Sequence, residues 1–105
     1  MARTASEPGE RCKCRITVLR KDFREDLYER YPAGYPHACG VVEVGQSWET
    51  ESPWYPPEGL CPWAWADMRA IIGRIHAGNE QTKVSCCTDG LRPVTFRLEA
   101  VPIEE

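Results

Sequence analysis

Residues 52–65, SPWYPPEGLCPWAW, hold four prolines, three tryptophans and a tyrosine. Each proline fixes φ and removes a backbone donor, so neither a helix nor a central strand passes through this stretch before Pro62. Pro62 itself suits the first turn of a helix, where its missing N–H costs nothing. The segment CPWAWADMRAIIGRIHAG therefore predicts an α-helix. Trp65, Met68, Ile72 and Ile75 mark one apolar stripe, Ile71 widens it, and Gly78 is the C-terminal stop.

On the N-terminal side, residues 1–11 read as a polar, flexible leader that extends to Cys12. CRITVL, from Cys14 to Leu19, is β-branched and predicts a strand. Asp22 caps a short helix, DFREDLYERY, whose Phe23, Leu27 and Tyr31 recur every four residues. Pro32, Gly34 and Pro36 end it in an irregular loop that carries His37 and Cys39. VVEVGQSWE, residues 41–49, reads as extended, with Gly45 as a turn or bulge. On the C-terminal side, Lys83–Cys87, the turn TDGLRP and the alternating VTFRLEAV form a hairpin. The expected fold class is α+β: a small, mainly antiparallel sheet with two helices packed on one face and a C-terminal β-hairpin. Residues 12–105 form one domain, because 105 residues divided in two would leave neither half a core.

The formal net charge is −3, so there is no basic surplus for a phosphate backbone and nucleic acid is excluded as a partner. No apolar run approaches the ~18 residues that span a bilayer, which excludes a membrane anchor. The polar start lacks the apolar stretch of an export signal, so the expected location is cytoplasmic. In that compartment thiols stay reduced, and six cysteines point to metal or redox chemistry, or to small buried side chains.

The cysteines differ in promise. Cys61 falls at the N-cap or first turn of the long helix, where unpaired N–H groups and the helix dipole favour negative charge. Trp63, Trp65 and Trp54 would give it apolar walls, which oppose ionisation. Cys86 and Cys87 adjoin in a strand and point to opposite faces, so at most one belongs to a site unless a bulge before the turn brings both to one side. If Val84 faces the core, Cys86 joins it and Cys87 looks outward. Cys39 follows His37 in a Pro-to-Gly loop and is a plausible ligand, with His37 beside it. Cys14 begins the first strand, and Cys12 is incidental. His76 is expected to meet the carbonyls that end its helix, Asp67 to face solvent, and Asp89 to serve the turn.

The stretches CRITVLRKDFREDLYERY, HACGVVEVGQSWE, PEGLCPWAWADM and CCTDGLRPVTFRLE resemble a family of small single-domain bacterial proteins, known as a conserved domain of unknown function. The resemblance runs from Cys14 to Val101. It implies a compact domain whose recurring cysteines match Cys39, Cys61 and Cys86 or Cys87, and it implies no reaction.

Three readings follow. In the first, thiolates of Cys39, Cys61 and Cys87, with Cys86 or His37 as a fourth ligand, hold zinc or an iron–sulfur cluster assembled from distant segments. In the second, Cys61 is the catalytic thiolate of a metal-free enzyme or redox protein, with Cys87 resolving. In the third, the chain is a binding module whose cysteines only pack. A small-molecule ligand near Trp54, Trp63 and Trp65 is compatible with the first two.

Overall fold

The run Ile16–Thr17–Val18 lies at the centre of β1 (Lys13–Lys21), the inner strand to which the rest of the sheet is added. The computed structural model describes residues 12–103, so the expected leader, residues 1–11, lies outside the described residues. The remaining elements are α1 (Glu25–Arg30), β2 (Ser47–Thr50), α2 (Pro62–His76), β3 (Thr82–Cys86) and β4 (Val94–Val101). The four strands form one antiparallel sheet in the order β2-β1-β4-β3. The fold is thus the expected α+β class: antiparallel sheet, two helices and a C-terminal β3–β4 hairpin.

Period-two patterning decides which side of the sheet is covered. Cys14, Ile16 and Val18 of β1 and Val94, Phe96, Leu98 and Ala100 of β4 are buried on one face. The stripe expected on α2 meets them: Trp65, Met68, Ile72 and Ile75 are buried, Ala64 joins them, and Ile71 is half-buried. The other face carries Arg15, Glu49, Arg97 and Glu99. Register sets Arg15 opposite both Glu49 and Glu99, and its Nη2 lies 2.9 Å from Glu49 Oε2. These pairs are solvated and worth at most about 1 kcal/mol each, so the cohesion comes from the apolar side. Among the described residues, no helix is long and apolar enough to cross a membrane.

Several local expectations change. α1 starts at Glu25 with Arg24 at its N-cap, has no side-chain cap and contains no buried residue. Asp22 does not cap it; its carboxylate takes Arg20 Nε, and its N–H donates to the Pro93 carbonyl. The cover over the sheet is therefore supplied by α2. β2 is four residues long, because Gly45, at φ +89°, turns the chain just before it and the extended reading began too early.

Cys12 is not incidental. It is buried, its N–H reaches the His76 carbonyl, and its thiol donates to the Ile75 carbonyl at 2.9 Å. The strand start thereby takes up carbonyls at the end of α2. Burial pushes the Cys14 thiol up to about 12, only partly offset by a backbone hydrogen bond at Glu99, so it stays protonated and packs as a small apolar group. His76 is buried, and its Nε2 hydrogen-bonds the Thr50 hydroxyl across to β2.

Met68→Ala is expected to cost about 2–5 kcal/mol, because the side chain is fully buried between α2 and the sheet. Leu27→Ala, on the unburied α1, is expected to cost less than about 1 kcal/mol. Urea unfolding of the two variants checks this ordering.

Candidate functional site

α2 runs over the sheet so that its N-terminus lies at the end where β1 leaves, β4 enters and β3 finishes. Three connecting segments meet there. After β1 the chain runs along the hairpin turn, with the Asp22 and Arg24 amides donating to the Pro93 and Leu91 carbonyls. Beside them is a cavity of about 330 Å³ whose walls include Tyr35, Cys39, Cys61, Trp63, Cys87 and Asp89. Three thiols from the 32–40 loop, the start of α2 and the end of β3 thus share one space.

Each thiol has a local reason for its position. Cys61 is the N-cap of α2, with Pro62 at N1; its carbonyl accepts the Trp65 N–H at 3.0 Å, and its side chain makes no cap hydrogen bond. Cys87 follows the last residue of β3. Its N–H donates to the Val94 carbonyl, and its Sγ accepts the Val94 N–H at 3.3 Å, so the first rung of the hairpin orients the sulfur. Cys39 Sγ lies 3.5 Å from the Val41 N–H, an amide-to-sulfur contact two residues along the chain. Cys39 and Cys87 therefore both accept a backbone N–H through sulfur.

Two polar clamps fix the three segments relative to one another. In the first, Arg92 Nη1 donates to the carbonyls of Ala33 (2.7 Å) and Tyr35 (2.9 Å), which ties the Cys39 loop to the hairpin turn. Gly34 makes this approach possible: it has φ +70°, and a Cβ there would lie 2.7 Å from Arg92 Nη2. Asp89 completes the clamp. Its Oδ1 accepts the Leu91 and Arg92 amides at 2.9 and 3.0 Å, and its Oδ2 lies 3.3 Å from Arg92 Nε. Slight burial raises the Asp89 carboxyl, but those amides and the guanidinium charge outweigh it and hold it below its ordinary value.

In the second clamp, the half-buried Asp67 of α2 accepts the Thr88 N–H at 2.8 Å and the Thr88 hydroxyl at 3.1 Å. It joins the helix that begins at Cys61 to the residue after Cys87. The solvent-facing role expected for Asp67 is thereby corrected. Aspartate six residues into a helix carries no sequence mark of so distant a partner; Thr88, beside the Asp-Gly turn, was the available hint.

The other expected site residues lie elsewhere. Val84 is exposed rather than in the core, which reverses the parity of β3. Cys86 is exposed and pairs with Thr95 in register, and it does not line the cavity. His37 stacks on Tyr35, with ring centroids 5.4 Å apart, and lines a separate groove with Phe23 and Tyr28. The three tryptophans diverge. Trp63 is 78% exposed at the cavity, Trp65 is in the core, and Trp54 carries Arg69 over its ring at 5.2 Å in another groove. Among the described residues, no group of three or more His, Cys, Asp and Glu side chains is disposed to hold a metal ion.

The fold and site define a small α+β domain with a three-thiol cavity at one end of its sheet. Comparison with protein families, with curated proteins and with solved structures returned no match.

Arg92→Lys removes the bidentate reach to two carbonyls and is expected to cost about 1–3 kcal/mol. The loss should appear as faster amide exchange across residues 33–41. Because the Asp89 carboxyl is held below its ordinary value of 3.8, its contribution to stability is present above that value. That contribution is lost as pH falls through the lower folded value. Asp89→Asn should remove this part of the acid sensitivity, measured as unfolding midpoints between pH 2 and pH 6.

Proposed function

We propose that the protein binds a thiophilic metal, as zinc or an iron–sulfur cluster, through Cys39, Cys61 and Cys87. The observation that carries this reading is that three cysteines from three remote segments line one cavity. Cys12 and Cys14 are fully buried, whereas these three are half-buried: they pack against the edge of the core and also line the cavity. The chemistry of the donor set agrees, because soft thiolates select zinc, copper(I) and iron–sulfur groups over hard cations. The resemblance noted in the sequence implies recurring cysteines at Cys39, Cys61 and Cys86 or Cys87, a set that leaves the choice within the last pair open.

Loading requires the thiols to close on the metal. Cys61 and Cys87 are fixed by a helix N-terminus and a hairpin rung, so most of the movement falls on Cys39 and residues 37–41, which have no regular structure. Binding energy then adds to folding energy, and the loaded protein should be more stable than the metal-free chain.

The test is metal and sulfide content, with an absorbance spectrum, of protein purified without oxygen. The expected result is metal bound in stoichiometric amount by the wild type and by Cys86→Ser. Cys39→Ser, Cys61→Ser and Cys87→Ser should each lose at least about tenfold in affinity, in line with the loss of one ligand. Metal at trace level in the wild type would overturn the proposal and leave Cys61 as a thiol to be tested for nucleophilic reactivity.

A further inference from the structure

We infer that the groove between Trp54 and α2 binds a small planar molecule carrying a carboxylate, with Arg69 holding the anion and Trp54 the ring. The site is separate from the three-cysteine cavity and does not rest on the metal reading.

Charge singles out this groove. Its walls bring Trp54 from the proline-rich segment against Arg69, Ala70, Gly73 and His76 of α2. Arg69 is exposed, and its guanidinium lies over the Trp54 ring at 5.2 Å. Among the described residues no carboxylate or carbonyl engages that guanidinium, whereas Arg15, Arg20, Arg74 and Arg97 each face an acid. The ring contact leaves its five N–H donors for an exogenous acceptor.

The other two grooves differ in this respect. Arg92, beside the three cysteines, is engaged by the Ala33 and Tyr35 carbonyls and by Asp89. The groove at His37 has Glu25 and Glu29 in its wall and, among the described residues, no arginine or lysine. One guanidinium balances one negative charge, and its fork matches the two oxygens of a carboxylate. A phosphate dianion would call for a second cation, and Arg69 is the one arginine or lysine among the described residues of this wall.

The ring of the ligand follows from Trp54. Ser52 Oγ accepts the Trp54 N–H at 3.0 Å, and Pro53 fixes the backbone between them, so the indole is held over the helix. It stays 68% exposed there. Of the three tryptophans expected beside a ligand, it is the one that carries a cation on its ring. The facing surface of α2 is low, because Ala70 and Gly73 present at most a methyl group. A Cβ added at Gly73 would meet no atom within 4 Å, so this surface is open to a flat body. His76 bounds the groove, its Nε2 held by the Thr50 hydroxyl. A planar apolar ring is thus received by an indole and a smooth helix face while its carboxylate meets Arg69. Binding makes and breaks no covalent bond.

The experiment is a titration of the full chain, labelled with nitrogen-15, with 2-naphthoate and with its neutral analogue 2-naphthamide. Naphthoate is expected to shift the amide signals of Ala70 and Gly73 and the indole N–H of Trp54 together, and to saturate. Naphthamide should bind at least about tenfold more weakly, the difference a charged hydrogen-bonded pair makes. Arg69→Gln should weaken naphthoate by at least about tenfold and leave naphthamide unchanged. Trp54→Ala should weaken both probes by roughly two- to tenfold, the contribution of one aromatic contact. Both side chains are exposed, so the signals of the core should not move in either variant. Equal binding of the two probes, or naphthoate binding unaffected by Arg69→Gln, would overturn the assigned ligand class. Absence of saturable shifts at these three positions, or shifts centred on Trp63 and Cys87, would overturn the site. Either failure leaves the metal reading where it stands, since that is tested by metal content.

Discussion

The packing of the α2 stripe on one face of the sheet is the constraint from which the rest follows. Ala64, Trp65, Met68, Ile72 and Ile75 can be buried together only if the helix lies along the strands over Ile16, Val18, Phe96 and Leu98. Burial of this kind stabilises by about 25 cal/mol per Å² of apolar surface, well above what the solvated ion pairs on the opposite face supply. Once the helix is seated, its N-terminus has one place to go, beside the β3–β4 turn. Cys61 is then brought near Cys87 by the same contacts that make the core.

Cys39 arrives by different means. Its loop buries little apolar surface of its own, and the Arg92 guanidinium fastens it by two carbonyls. Asp89 prepares that guanidinium from the turn, and Gly34 clears space for it. The site thus combines two kinds of support: apolar burial that orients elements and charged hydrogen bonds that fasten a loop. Such an arrangement leaves Cys39 the most adjustable of the three thiols, while Asp67 and Thr88 hold the other two segments together.

Much of this was legible in the residues, and the parts that were not share a cause. The long helix announced itself by Pro62, a four-membered apolar stripe and Gly78, and β4 by strict alternation; each is a local pattern with a local physical reason. The convergence of the 32–40 loop, the helix start and the hairpin tip followed from the order of elements. The face of β3 did not, because Lys83, Val84, Ser85 and Cys86 alternate too weakly to reveal that Val84 is the outward residue. α1 misled because Phe23, Leu27 and Tyr31 have helical spacing, yet the chain there is held to the hairpin turn by backbone bonds and α1 remains unburied. Arg92 and Asp67 act through partners 57 or more and 21 positions away, a separation that no local pattern encodes.

The most direct test of the proposed metal site is X-ray absorption at the edge of any metal that the purified protein retains. Wild type would be compared with Cys39→Ser, Cys61→Ser, Cys87→Ser and Cys86→Ser. The account predicts that each of the first three loses about one sulfur neighbour from the metal, and that the fourth loses none. A sulfur shell unchanged in all four, or depleted by Cys86→Ser, would contradict it.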